Sequence, residues 1–315
     1  MFFDYSSLIR PNPAQLHYGA GVIDVDGDGE FEIFVAGYGG PNRVLKWTGQ
    51  EFLDVASADL ADPNRWAIGV AGADINGDGR EEIYILNTDT FSGRKRAGDR
   101  LFLWRGQRWF DLFTVEENQP LMNLTAGRSV VAVDRYGTGQ YGFFLANYGG
   151  PMRLYEFADG QLADVASAAG LAYITGGRGL IALPLISDRM DIFAGNEMGP
   201  NFLFINQGDG TFTECAAQWG IDDPYEHVRG IAVLDADHDG ALGLTYGNWE
   251  GNHRLFVRDN GQFSDAAPLA LARPSRVRTV IAADFDNDGY EEIFFNNIGQ
   301  PNRLFAWRDA QWQAI

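Results

Sequence analysis

The sequence predicts an all-β protein, a six-bladed β-propeller with four-stranded antiparallel blades, seven blades being the alternative. Three observations lead there. An acidic nonapeptide returns about every fifty residues. Short apolar runs surround each copy in one fixed order. No segment shows sustained helical periodicity.

The acidic loop is clearest at Asp24-Val-Asp26-Gly-Asp28-Gly-Glu30-Phe-Glu32. It returns at Asp74-Ile-Asn76-Gly-Asp78-Gly-Arg80-Glu-Glu82 and at Asp284-Phe-Asp286-Asn-Asp288-Gly-Tyr290-Glu-Glu292. A weaker copy, Asp235-Ala-Asp237-His-Asp239-Gly240, has Gly243 in its ninth place. A degenerate copy starts at Asp134, with Tyr136 and Thr138 where acids should stand. The most eroded copy lies near Pro184, marked only by its flanks, Arg178–Ala182 and Asp191–Phe193. Starts at 24, 74, 134, about 184, 235 and 284 give six repeats, read as one domain over 1–315.

Each repeat opens on a first apolar run, such as Gly21–Ile23 or Val280–Ala283, leading into the loop. A second run follows it (Glu32–Ala36, Glu82–Leu86, Glu292–Phe295). A Gly/Pro/Asn turn comes next, at Gly39–Arg43, Gly149–Arg153 and Gly299–Arg303. Third runs are Val44–Trp47, Leu154–Phe157 and Leu304–Trp307. Fourth runs are Phe52–Ala56, Trp109–Phe113, Leu162–Ala166, Phe212–Ala216 and Phe263–Ala267. Runs of β-branched and aromatic residues between such turns read as strands, and four per repeat is blade grammar. Met1–Tyr5 aligns as an orphan fourth strand, as does Trp312–Ile315, so one terminal copy or both should close the last blade. Single helical turns fit the fourth-to-first connections, for example Ala166–Gly170.

Composition removes several function classes. The 315 residues carry a formal net charge of −19, which opposes general nucleic-acid binding. Cys215 is the only cysteine, so no internal disulfide or cysteine-rich zinc site forms. No apolar run is long enough to span a membrane. Met1–Arg10 lacks the form of a secretory signal, so the sequence as it stands reads as cytoplasmic, or secreted if a leader was removed. A monomer is expected.

Acids at positions one, three, five and nine place several hard oxygens around one point, which selects Ca²⁺, with Mg²⁺ as the substitute. Glycine at position six supplies the backbone turn. The metal candidates are Asp24, Asp26, Asp28 and Glu32; Asp74, Asn76, Asp78 and Glu82; Asp284, Asp286, Asp288 and Glu292. Asp235, Asp237 and Asp239 form a fourth, weaker set. Position seven (Glu30, Arg80, Tyr290) is expected to contribute only its carbonyl, and His238 to point outward. The metals would pin the first-to-second-strand hairpins.

These loops resemble the FG-GAP calcium loops of integrin α-chain propellers. The phrases Gly39-Gly-Pro-Asn-Arg43, Phe52-Leu-Asp-Val-Ala56 and Gly208–Thr213 resemble the CRTAC1-like (ASPIC/UnbV, VCBS-repeat) family. The resemblance covers nearly the whole chain. It implies a propeller with bound metal, in a group that serves adhesion and carbohydrate binding and includes some lyases and carbon–carbon bond-forming enzymes. The best-known relatives are seven-bladed and secreted, whereas six repeats and no leader are read here. It also implies that the metal loops lie on one face and the first-strand starts on the other.

At those starts stand Arg128, Arg178, Arg229 and Arg278, with Tyr18 and Ile68 in the first two repeats. Guanidiniums at a channel mouth suit a carboxylate, phosphate or sulfate. Trp66, Tyr148 and Trp249 flank them, so an anionic or polar small molecule, a glycan or a protein is the expected partner. The bland reading is that each arginine pairs with a neighbouring blade's carboxylate. His17, Tyr18, His227 and Glu197 are the acid–base candidates for a compact lyase or cyclase, the alternative to a binding module. The insertion Thr88–Arg100, with Arg94, Lys95 and Arg96, reads as a lid, a docking loop or a solvated excursion. Asn123-Leu-Thr125 is a glycosylation sequon.

Overall fold

The structure, a computed structural model, describes residues 3–259 and 261–315. Its elements are strands, joined by a few single helical turns. The chain divides into two compact units, Met1–Ile174 and Thr175–Ile315. Both have the blade arrangement of a β-propeller.

The first unit begins with β1 (Ile9–Arg10). Its first blade is β2 (His17–Ile23), β3 (Glu32–Gly37), β4 (Arg43–Trp47) and β5 (Phe52–Asp54). The second is β6 (Ala67–Ala73), β7 (Glu82–Asn87), β8 (Arg100–Trp104) and β9 (Trp109–Asp111). The third is β10 (Gly127–Val133), β11 (Gly142–Pro151), β12 (Arg153–Ala158) and β13 (Gln161–Asp164). In the second unit the fourth blade is β14 (Ile174–Leu183), β15 (Asp191–Asn196), β16 (Phe202–Asn206) and β17 (Phe212–Glu214). The fifth is β18 (Val228–Leu234), β19 (Gly243–Asn248), β20 (Arg254–Asp259) and β21 (Gln262–Asp265). The sixth is β22 (Val277–Ala283), β23 (Glu292–Asn297), β24 (Arg303–Arg308) and β25 (Gln311–Ala314). Every within-blade pairing is antiparallel, as in Ile23↔Glu32, Leu45↔Asp54 and Phe305↔Ala314.

Each core sits between consecutive blades. In the first unit Ile23, Phe34, Val70, Ile83 and Phe102 form one apolar layer, and Tyr84, Leu86, Phe143, Leu145 and Tyr155 another. In the second unit Phe193, Leu203, Leu244 and Tyr246 form one layer, and Leu255, Phe295, Phe305 and Trp312 another. Burying one such side chain contributes about 1.5–3 kcal/mol. Second strands are sandwiched, so every residue of β7 and β19 is buried. Their continuous apolar runs are the sequence trace of that double burial.

The fourth strands are shorter than the apolar runs that mark them. In Phe52-Leu53-Asp54 the aspartate ends the strand, because its Oδ1 accepts the amides of Val44 (3.1 Å) and Ala56 (3.2 Å). The amino-terminal run also differs from expectation. Phe3–Tyr5 form no strand, and Met1 and Phe2 lie outside the described residues. Instead β1 runs parallel to β5 (Ile9↔Phe52). The carboxy-terminal copy alone supplies the fourth strand of the last blade, as β25. Ala166–Gly170 is a turn, whereas single α-helical turns occur at Ala58–Ala61 and Leu269–Ala272.

First strands of neighbouring blades approach closely, β2 against β6 and β18 against β22. Glycine permits it. A Cβ on Gly19 would lie 2.7 Å from the Ile68 carbonyl oxygen, and one on Gly230 would overlap the Val280 amide. Gly230→Val should therefore destabilise the protein by about 3 kcal/mol, the upper range of overpacking costs. Urea denaturation checks this, and an unchanged midpoint would refute the close approach.

Candidate metal centre and the opposite strand ends

Each acidic loop is shaped by its own backbone before any cation is considered. Position one turns the chain: Asp24 Oδ1 accepts the Gly27 amide (2.7 Å), and its Oδ2 accepts that of Gly29 (3.0 Å). Asp74, Asp134, Asp235 and Asp284 accept loop amides in the same manner. The glycines at position six have φ of 87° (Gly29), 84° (Gly79), 89° (Gly240) and 91° (Gly289), where a side chain is strained. Position nine begins the second strand and reaches back. Glu32, Glu82 and Glu292 accept the amides of Val25 (2.9 Å), Ile75 (3.0 Å) and Phe285 (2.7 Å).

These bonds aim the remaining oxygens at one another. Asp24, Asp26 and Glu32 bring ligand atoms within 4.8 Å, as do Asp235, Asp237 and Asp239, and Asp284, Asp286 and Glu292. Like charges held that close repel unless a positive group or a proton offsets them. Burial first, then the Asp78 and Asp74 charges, pushes Glu82 up to about 8. Burial and the neighbouring aspartates also raise Glu292 and Asp237. The second oxygen of Glu32 is buried and faces Lys46 Nζ at 3.1 Å. Hard oxygens with this convergence fit a divalent cation such as calcium.

The copies differ in what neutralises them. In the first blade Lys46, on β4, reaches the loop, with Nζ 2.5 Å from Asp26, 2.5 Å from Asp28 and 3.1 Å from Glu32. In the second, the Asn76 amide donates to Asp78 and Glu82, each at 3.0 Å. In the third, Arg135 pairs with Glu156 (2.6 Å). In the fourth, Asp191 takes position nine and accepts the Ile186 and Ser187 amides and the Ser187 hydroxyl.

Two roles escape sequence reading. Position seven is not only a carbonyl. Arg80 donates to the Val25 carbonyl of the preceding blade (2.7 Å) and lies over Trp104, while Tyr290 packs edge-on against His238 (4.3 Å). His238 is thus half-buried between Tyr290 and Trp307 rather than turned outward. Position eight also ties blades together: Glu81 accepts the Asp24 amide (2.7 Å), and Glu291 that of Asp235 (3.3 Å). Only the side-chain varieties Arg/Tyr and Glu hinted at such contacts.

At the other strand ends, every first strand carries a β-bulge. It falls at Tyr18, Ile68, Arg128, Arg178, Arg229 and Arg278. Bulges re-aim side chains, so this shared position is a device of the fold. In the first unit Arg128 donates to the Phe91 carbonyl and lies over the Phe91 ring, with Tyr148 beside it. Tyr18 packs on Tyr38, Trp66 is half-exposed beside Gly39, and His17 Nδ1 is 3.3 Å from the Ala36 carbonyl. In the second unit Arg178 and Arg229 both clamp Glu197, and Arg229 also lies 4.8 Å over Trp249. His227 Nδ1 contacts the Glu197 carbonyl. The ion-pair reading therefore holds for Arg229, which reaches Glu197 of the preceding blade, whereas Arg178 meets the same carboxylate within its own blade.

The insertion is fastened to its own blade and to the third. Lys95 is buried, pairs with Asp99 and donates to the Asn87 carbonyl (2.6 Å), so it presents no charge to a partner. Arg96 pairs with Asp89 (2.9 Å). The sequon is closed off as well, since Asn123 is buried and its amide donates to Asp99 (2.8 Å) and Asn147 (3.0 Å).

Repeated four-stranded blades, four of them opening on an acidic hairpin loop, define a propeller protein. The chain belongs to the FG-GAP-like repeat family, whose profile matches residues 24–85, 188–244 and 243–295. It is similar to cartilage acidic protein 1 of Xenopus tropicalis (46% identity) and of Homo sapiens (47%), over 96% of this chain. It covers 51% and 50% of those proteins, and so spans about half the length of the curated relatives it matches. Two solved structures share the fold. One is the SapL1 lectin in complex with α-methyl fucoside (TM-score 0.52, 13% identity, 95% of this chain and 96% of that one). The other is the BP39L lectin of Burkholderia pseudomallei (TM-score 0.56, 12% identity, 90% and 80%). Among the described residues no helix is long and apolar enough to cross a membrane.

Lys46→Met should lower the melting temperature in excess chelator, because it removes the cation that Asp26, Asp28 and Glu32 face. Scanning calorimetry reads the shift, and an unchanged transition would show that the ammonium is idle.

Proposed function

We propose that the chain is a calcium-stabilised propeller module that binds an anionic or polar ligand at the bulged ends of its first strands. The observation that carries the calcium assignment is the repeated loop whose backbone pre-aims carboxylates at one point. The ion would be held by Asp24, Asp26, Asp28 and Glu32, and by Asp284, Asp286, Asp288 and Glu292. The loop of Asp235, Asp237 and Asp239 would complete its shell with water. The loop of Asp74, Asn76, Asp78 and Glu82 would bind once the Asn76 oxygen turns inward. Mg²⁺ would substitute poorly, since it demands near-ideal octahedral geometry.

The metal's role is structural: it holds hairpins and relieves repulsion. Chelation should lower the melting temperature by several degrees, and calcium should restore it, because ligand at a hundredfold its Kd adds about 2.7 kcal/mol per site. Calorimetry with and without chelator tests this. A melt indifferent to both would sink the assignment.

On the opposite strand ends, guanidiniums beside aromatic rings support recognition of a carboxylate, sulfate or phosphate on a glycan or protein. A lyase or cyclase would need an available proton carrier. Glu197 is clamped by two arginines, which disfavours it in that role. Likeness to lectins is likeness of fold and supplies no sugar-binding residue, but it sets which probes go first. Immobilised sulfated and carboxylated glycans should retain the wild-type protein. Arg128→Met should weaken retention about tenfold, about 1.4 kcal/mol. Equal retention of the variant and wild type would place the ligand elsewhere.

A further inference from the structure

A broken pattern singles out one arginine of the sixth blade. The third strand of five blades starts with arginine: Arg43, Arg100, Arg153, Arg254 and Arg303. In four of them a fourth-strand aspartate faces it. The pairs are Arg43–Asp54 (3.1 Å), Arg100–Asp111 (2.7 Å), Arg153–Asp164 (3.1 Å) and Arg254–Asp265 (3.1 Å). Register fixes the aspartate opposite the residue two beyond the arginine, as in Leu45↔Asp54, Phe102↔Asp111, Tyr155↔Asp164 and Phe256↔Asp265. In the sixth blade that place is Ala314, opposite Phe305. The blade has kept the guanidinium and lost its carboxylate.

Among the described residues Arg303 pairs with no carboxylate. Its Nη2 donates to Ser275 Oγ (3.1 Å), its Nη1 to the Ala270 carbonyl (3.4 Å), and its buried Nε has no partner. Beside it opens a cavity of about 350 Å³, lined by Arg273, Ser275, Asn297, Gln300 and Pro301. Arg273 likewise pairs with no carboxylate among the described residues. Burial, then the charge of Arg273, lowers Arg303 from its ordinary value. Carboxylate partners instead raise Arg254 and, against burial, Arg100. Two unmatched guanidiniums at one cavity are an anomaly in a chain of net charge −19.

The wall of the cavity contains a serine and an asparagine, and a buried histidine lies behind the serine, which suggests hydrolytic chemistry. The proton positions argue against it. The Asn248 amide donates to His253 Nδ1 (3.0 Å), so Nε2 carries the proton and donates to Ser275 Oγ (2.8 Å). Ser275 in turn donates to Asn297 Oδ1 (2.7 Å). Burial, then the Arg303 charge, pushes His253 down to about 3, which keeps the ring neutral. The ring cannot take a proton from the serine it donates to. The trio holds the Arg303 side chain in position, and the cavity is one for binding.

We propose that this cavity binds a carboxylate, which pairs with Arg303 as an aspartate pairs with the equivalent arginine in four other blades. Arg303 would contribute its guanidinium, and Arg273 the second charge. A carboxylate fits because the parallel N–H groups of arginine match its two oxygens.

Titration calorimetry with sodium succinate and with a capped tri-aspartate peptide, against sodium chloride at equal ionic strength, tests the proposal. Wild type should bind at least one of the two carboxylate probes. Succinate alone would mark a free small acid as the source, the peptide alone an acidic chain segment. Arg303→Met should weaken binding at least tenfold. Ala314→Asp should do the same, while raising the melting temperature without added ligand, because it restores the internal pair. Should Arg303→Met fail to fold, Ala314→Asp carries the test. Probes bound no better than chloride, or full succinate and peptide binding by Ala314→Asp, would overturn the proposal. Arg128→Met should leave this binding unchanged, so its failure and that of the strand-end reading are separable.

Discussion

Backbone amides hold acids together in this protein, and every blade must then answer the repulsion. Position one must cap the loop and position nine must close the hairpin, so neither carboxylate can turn away. Fixed orientation makes the convergence unavoidable. The first blade answers with Lys46, the second with the Asn76 amide, the third with Arg135–Glu156 and the fourth with Ser187. In the sixth, Arg308 approaches Asp286 only at 3.4 Å and in solvent, where such a pair contributes little. A cation therefore has most to add there. The eroded third and fourth copies keep the turn without three converging acids.

The same loops connect blades within each unit. Glu81 and Glu291 reach amides of the preceding loop, and Arg80 and Tyr290 pack on it. Local charge and packing between blades are thereby coupled. A change in the Asp284 loop will be felt at Asp235 through Glu291, whereas surface acids elsewhere lack such a route. This is why a loop that looks like a solvated turn can bear on the stability of two blades at once.

The repeat, the strand order and the loop residues were legible because they obey local rules: fixed spacing, glycine at positive φ and apolar runs between turns. What was not legible depends on distance. Lys46 lies 20 residues from Asp26 and meets it only because β4 passes beside the loop. Lys95 reads as a surface charge in a basic tripeptide, yet Asp99 draws it inward. Asn123 matches a sequon and is enclosed by Asp99 and Asn147. The arginines at the first-strand starts were legible as a set. That Glu197 would clamp two of them depended on a turn residue whose direction no spacing reveals.

Much of the basic charge is thus internal. Lys46, Lys95, Arg43, Arg100, Arg153, Arg178, Arg229 and Arg254 all face carboxylates. The field far from such a protein is negative, and it repels anions at distances beyond contact. An anionic ligand would not be steered in; it would be selected on arrival. Selection at contact range asks for guanidiniums already held in place. Arg303, fixed by Ser275 and the Ala270 carbonyl, meets that requirement, and so does Arg128 against Phe91. Geometry rather than net charge would then decide which acid is bound.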